Sequence, residues 1–299
     1  MAAIRRVHAE LVLDAGAVHG EGPAWDAANG RLLWVDMMAE RLHLTRPDGA
    51  DIVDEVVVYD QPVCVAVPRM GGGLALALGD GFWLQDGDGS LRRVFAIPQP
   101  AAPTGPVRMN DGKCDPTGRL WAGSMAFDAK AGAGSLYRLD PDGTTREVLR
   151  DVTVSNGLAW TPDGTTMFYI DTPTQRVDAF DMDPATGAIS NRRAAATIPA
   201  AAGMPDGMTI DDDGGLWVAL WQGSAVHRYA PDGRLDMIVE LPCTQVTSCC
   251  FGGAGLDELY ITTSSLGLSE ADRAAQPLAG ALFRYRPGVT GPAAVAFAG

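Results

Sequence analysis

The 299-residue sequence predicts an all-β fold: a six-bladed β-propeller whose four-stranded antiparallel blades surround a central channel. Three observations carry this expectation. The chain holds 36 glycines and 20 prolines, well above the roughly 12% these residues make up in ordinary chains, which excludes a helical bundle. One unit recurs six times, 41 to 50 residues apart. Each copy reads as about four short strands with turns between them, and such a period marks a propeller.

The copies can be taken in order. Glu21-Gly22-Pro23-Ala24-Trp25-Asp26 leads into Arg31-Leu32-Leu33-Trp34-Val35-Asp36 and closes at Pro47-Asp48-Gly49. A weaker copy begins at Val63-Cys64-Val65-Ala66-Val67 and continues in Gly73-Leu74-Ala75-Leu76-Ala77. The third runs from Asn110-Asp111-Gly112-Lys113-Cys114-Asp115 into Gly118-Arg119-Leu120-Trp121-Ala122 and closes at Pro141-Asp142-Gly143. The fourth starts at Asn156-Gly157-Leu158-Ala159-Trp160 and continues in Thr166-Met167-Phe168-Tyr169-Ile170-Asp171. The fifth starts at Asp206-Gly207-Met208-Thr209-Ile210-Asp211, followed by Gly215-Leu216-Trp217-Val218-Ala219. The sixth, weaker again, runs from Thr247-Ser248-Cys249-Cys250-Phe251-Gly252 into Glu258-Leu259-Tyr260-Ile261-Thr262. Stacking blades around an axis covers faces that a lone four-stranded sheet would leave bare. The segment Val7–Leu13 is expected to close the ring by joining the last blade beside Ala281–Tyr285. With no linker composition dividing the chain, it reads as one domain over residues 1–299 rather than two.

Charge narrows the function. The formal net charge is −14, and such an acidic surface repels phosphate backbones and anionic membranes. No apolar run reaches the ~20 residues needed to span a bilayer, and no apolar segment follows the basic start, so a cytoplasmic address is expected. The five cysteines (Cys64, Cys114, Cys243, Cys249 and Cys250) have neither zinc-knuckle nor disulfide-framework spacing and read as buried thiols. The tryptophans within the strands read as core, while Trp221 could wall a pocket.

The first position of each repeat carries the chemistry. The inner strand of each blade borders the channel, so residues at one repeat position form a ring. That ring reads Glu21, Val63, Asn110, Asn156, Asp206 and Thr247. Singly, each Asn, Asp or Glu could serve a turn backbone. In register across four blades, their oxygens converge as donors for a hard divalent cation. The four histidines (His8, His19, His43 and His227) lack zinc-site spacing. Arg108 precedes Asn110 by two residues, so both face one way on a strand, and its guanidinium can meet hydroxyls or a developing oxyanion. Asp111 has a supporting role at most. Lys113, one of two lysines, reads as a packed or solvated stem. Phosphate-loop, dinucleotide and serine-elbow motifs are missing.

Five motifs, in order and at propeller spacing, resemble the SMP-30/gluconolactonase/LRE family of regucalcin-like sugar lactonases. They are Gly20-Glu21-Gly22-Pro23, Arg108-Met109-Asn110-Asp111-Gly112-Lys113, Ser155-Asn156-Gly157-Leu158, Pro205-Asp206-Gly207 and Thr247-Ser248-Cys249-Cys250-Phe251-Gly252-Gly253. The resemblance implies one divalent cation, Ca²⁺ foremost with Zn²⁺, Mn²⁺, Mg²⁺ or Fe²⁺ also compatible, held by Glu21, Asn156 and Asp206. It implies substrate binding by Arg108 and Asn110, and by Asp128 where many relatives carry Glu. The expected reaction is metal-dependent hydrolysis of a sugar lactone to its aldonic acid, with Asp206 and Arg108 as the catalytic pair. Hydrolysis of other lactones or organophosphate esters, and a non-enzymatic calcium-binding propeller, are the alternatives. Oligomeric state is not legible.

Overall fold

The computed structural model describes residues 3–47, 52–100 and 105–299. Among these residues, six blades of four antiparallel strands form a ring, a six-bladed β-propeller, and one blade gains a fifth, parallel strand. Blade 1 comprises Gly20–Asp26, Arg31–Asp36, Arg41–Arg46 and Val53–Val58. Asp48 and Gly49, expected to close this unit, lie outside the described residues. The inner strands of blades 2 to 6 are Val63–Pro68, Val107–Cys114, Ser155–Trp160, Met204–Ile210 and Val246–Gly252. These inner strands are almost wholly buried, whereas the outer strands, such as Val53–Val58 and Leu91–Ala96, are largely exposed. The gradient follows from the ring: an inner strand meets neighbouring blades on both faces, an outer strand only at its base.

The N-terminus differs from the single strand read over 7–13. Glu10–Leu13 lies antiparallel to Leu282–Tyr285 in blade 6. Arg5–His8 instead lies parallel to the outer strand Leu235–Glu240 of blade 5. Ala9, whose N–H reaches the Glu240 carbonyl at 3.1 Å, is the crossing point. The segment thus staples two blades and covers an otherwise bare strand edge.

The repeated Asp-turn-Trp pattern has a physical cause. In blade 5, Asp211 accepts from the Gly215 N–H at 2.7 Å and the Trp217 indole N–H at 2.8 Å, and also from Arg228 Nε at 2.7 Å. The Arg228 guanidinium lies over the Trp217 ring, 5.8 Å from its centroid. Blade 3 repeats this with Asp115 accepting from Trp121 Nε1 at 2.9 Å, and with Arg138 over Trp121. In these two blades a buried carboxylate therefore ties the turn to the core tryptophan of the next strand, whereas in blade 1 the Trp34 indole N–H goes to Thr45 Oγ1 at 2.8 Å.

All five cysteines are buried and free. Among the described residues, no helix is long and apolar enough to cross a membrane. The Leu266–Arg273 region forms the short helix Glu270–Ala275, capped by Ser269 through Asp272. The C-terminal tail crosses one end of the ring: Phe297 exchanges backbone bonds with Pro68 and Met70, and Ala298 N–H reaches the Gly118 carbonyl. Pro292–Val295 closes that end of the channel over a cavity of about 260 Å³, walled by residues such as Val67, Lys113, Ile210 and Phe251.

Candidate active site at the open mouth of the channel

Each inner strand breaks its register at the height of the predicted ring. The irregularities fall between Glu21 and Ala24, Val63 and Val65, Met109 and Gly112, Asn156 and Leu158, Pro205 and Met208, and Val246 and Ser248. Such bulges bend the strand and re-aim side chains. All six blades carry one at this level, and in four of them the residue there is Glu21, Asn110, Asn156 or Asp206.

The expected polar residues are buried: Glu21, Arg108, Asn110, Asn156 and Asp206 are each at most 7% exposed. A chain of hydrogen bonds joins three blades. Arg108 Nη1 donates to Asn110 Oδ1 at 2.7 Å, and Asn110 Nδ2 donates to Asn156 Oδ1 at 2.9 Å. Asn156 Nδ2 donates to Thr172 Oγ1 at 2.8 Å, and Thr172 Oγ1 donates to the Pro205 carbonyl at 2.8 Å, just before Asp206. These bonds fix both amides with an oxygen of Asn156 toward the ring.

The carboxylates are electrostatically crowded. Burial pushes Glu21 up to about 8, reinforced by Asp111 and opposed by the Gly22 N–H and by Arg108. Asp206 is held well above the ordinary range, first by burial and then by Glu21 and Asp111. Asp111 is also raised by burial, against the pull of Lys113 and the Gly112 N–H. The site thus concentrates more negative charge than Arg108 and Lys113 relieve. Among the described residues, no three His, Cys, Asp or Glu side chains form a metal-holding cluster. The ring set is instead two carboxylates and an amide oxygen, and that donor chemistry suits a hard cation. Asp111 bonds the Gly112 N–H at 2.7 Å and lines the lower cavity with Lys113, whose Nζ donates to the Met208 carbonyl at 2.8 Å.

Other ring positions are not donors. Val63 is sealed in the core, and Thr247 spends its hydroxyl on the Gly20 carbonyl at 2.6 Å. Asp128 stays outside the buried group, exposed on the turn after Leu120–Ala126, where its Oδ1 accepts from the Lys130 N–H at 3.2 Å. Its neighbour Phe127, not singled out from the sequence, lies beneath the Arg108 guanidinium at 5.7 Å. Sequence reasoning also passed over Met37, whose sulfur lies 3.1 Å from Arg108 Nη1, and His19. His19 is 7% exposed, and burial followed by the Arg108 charge lowers it to about 3. Trp221 ends the strand Leu216–Trp221 and meets His19 edge-on, with centroids 5.6 Å apart. Position two residues before Glu21 was the available signal for His19, by the parity that singled out Arg108.

A ring-shaped all-β scaffold with buried carboxylates, amides and an arginine at one mouth defines the class. Residues 19–265 match the family described as SMP-30/Gluconolactonase/LRE-like region, and the chain belongs to that family. It is 40% identical over 293 residues to the Bacillus subtilis (strain 168) protein named "Putative sugar lactone lactonase YvrE", covering 97% of this chain and 99% of that one. It is 37% identical over 297 residues to regucalcin of Macaca fascicularis, covering 97% and 98%. A crystal structure of regucalcin from Agrobacterium tumefaciens str. C58, titled a calcium-binding protein, superposes with a TM-score of 0.91 at 26% identity over 99% of both chains.

Proposed function

We propose that the protein is a divalent-metal-dependent hydrolase that opens a sugar lactone to its aldonic acid. The observation that carries this reading is the pairing of two buried carboxylates, Glu21 and Asp206, the second raised by the charge of the first, with the Arg108–Asn110–Asn156 chain. The family description and the name of the Bacillus subtilis relative support the lactone class. Glu21, Asn156 and Asp206 would hold the cation, with Ca²⁺ the first candidate. When bound, that ion supplies Lewis-acid polarisation of the lactone carbonyl.

The protein's own groups do the rest. Asp206 orients the attacking water and accepts its proton, to the extent that a cation-bound carboxylate remains basic. Water adds to the carbonyl carbon, the ring ester C–O bond breaks, and the ring oxygen leaves as a hydroxyl by taking the proton that Asp206 accepted from the water. Arg108 stabilises the oxyanion or a ring hydroxyl, and Asn110 sets the guanidinium's position through its 2.7 Å bond. Burial strengthens these interactions by excluding competing water. Asp128, on the exposed turn, is proposed to reach an outer hydroxyl.

The test is acid release at constant pH from several aldonolactones, with and without a chelator, beside an aryl ester and an organophosphate. Chelator-sensitive opening of an aldonolactone is expected. Turnover of the organophosphate or aryl ester alone would refute the sugar-lactone reading.

A further inference from the structure

The positions two residues before the ring are His19, Gln61, Arg108, Val154, Met204 and Gln245. Most offer a ligand little. Val154 and Met204 are apolar, Gln61 Oε1 accepts from the Asp80 N–H at 3.1 Å, and Gln245 Nε2 donates to the Leu266 carbonyl at 3.0 Å. His19 and Arg108 remain.

The hydrogen bonds around His19 set its tautomer. His19 Nδ1 is 2.9 Å from Ser264 Oγ, which also lies 3.0 Å from the Val18 carbonyl oxygen and accepts from the Leu266 N–H at 3.0 Å. Two oxygens 3.0 Å apart need a proton between them, and a carbonyl has none to give, so the Ser264 hydroxyl donates to Val18. Its hydrogen is then spent, and the bond to His19 requires Nδ1–H as donor. That leaves a bare lone pair on Nε2. Among the described residues this atom has no hydrogen-bond partner, and it is not sealed away from solvent. Trp221 holds the ring edge-on.

Arg108 is the charged neighbour of His19. Its Nη1 touches Met37 Sδ at 3.1 Å, and the Met37 N–H bonds the His19 carbonyl at 2.9 Å. The guanidinium therefore extends over blade 1, beside His19. A donor and an acceptor on one wall suit hydroxyls, which both accept and donate.

We propose that His19 is a specificity-determining residue whose Nε2 accepts a hydrogen bond from a hydroxyl of the bound lactone, so that the site selects polyhydroxylated over unsubstituted rings. This rests on the lactonase reading above. The experiment compares kcat/KM for glucono-δ-lactone and δ-valerolactone in the wild type and in three variants. His19→Phe removes the acceptor, His19→Asn places its amide near Nδ1, and His19→Gln places an amide oxygen near Nε2. His19→Phe and His19→Asn should each lose about tenfold on gluconolactone, mainly through KM, as one hydrogen bond warrants. Their loss on δ-valerolactone should be at least fivefold smaller, and His19→Gln should recover most of the gluconolactone activity. Equal losses on both lactones, or no loss on gluconolactone in either acceptor-less variant, overturn the assignment. So does a wild type that opens δ-valerolactone but not gluconolactone, although it leaves lactone hydrolysis standing. A wild type that opens no lactone overturns the lactonase reading itself and His19 with it.

Discussion

Asp211 offers the sharpest test of how this ring is held together. It is 1% exposed and accepts from Gly215 N, Trp217 Nε1 and Arg228 Nε at 2.7–2.8 Å, and from Asp213 N at 3.1 Å. Asp211→Ala strands the indole N–H of Trp217, itself fully buried, and the Gly215 N–H in the turn. Each buried donor left unmade costs about 1–3 kcal/mol. Arg228 loses one carboxylate but keeps Asp236 at 2.8 Å, which limits its share. The total is about 3–5 kcal/mol, in the range for breaking a buried charged pair. At roughly 2–4 °C per kcal/mol, with a long chain at the low end, Tm should fall by roughly 6–12 °C. Differential scanning calorimetry reads this directly. Because Asp211 lies at the far end of the strand from Asp206, lactone turnover per folded molecule at 20 °C should stay near wild type. A Tm within about 2 °C of wild type would refute the argument that the carboxylate ties turn to tryptophan.

Glu21→Gln and Asp206→Asn should each abolish lactone opening and lower bound metal, as measured by elemental analysis after dialysis; full metal content with full turnover in either would sink the ligand assignment. Arg108→Ala should keep its metal while kcat/KM falls by about 10²–10³, and Arg108→Lys should rescue little of it, since a point charge does not reproduce the guanidinium fork. Glu21, raised from 4.5 to about 8 by burial, contributes stability below pH 4.5 that is lost as pH rises through about 8. Chelated protein should therefore melt lower at pH 9 than at pH 6, added divalent cation should narrow the gap, and Glu21→Gln should flatten it; a chelated Tm that is flat or rises over this window contradicts the burial argument. Asp128→Ala should alter KM for the larger aldonolactones by less than about tenfold with metal content unchanged, and an activity loss as deep as that of Arg108→Ala would move Asp128 into the buried machinery.

The sequence alone made the blade count legible, because a unit of short strands and turns recurs six times, 41 to 50 residues apart, even where the copies starting at Val63 and Thr247 lack the acid or amide before a glycine. It also determined that Glu21, Asn110, Asn156 and Asp206 lie at one level, because equal repeat positions become equal heights in a ring. Tertiary structure decided what those side chains touch. Asp111 read as having a supporting role at most; beside the bulge between Met109 and Gly112 it lines the lower cavity and holds the Gly112 N–H, and from there its charge still raises Glu21 and Asp206. Strand parity marks the position of His19, but its tautomer depends on Ser264, 245 residues away, and no local pattern shows that. The split of the N-terminal segment between blades 5 and 6 was equally hidden, since the bare edge of Leu235–Glu240 exists only once the ring has closed. Periodicity specifies which residues share a height and a face; register breaks and long-range hydrogen bonds, which no local pattern encodes, specify which atoms meet.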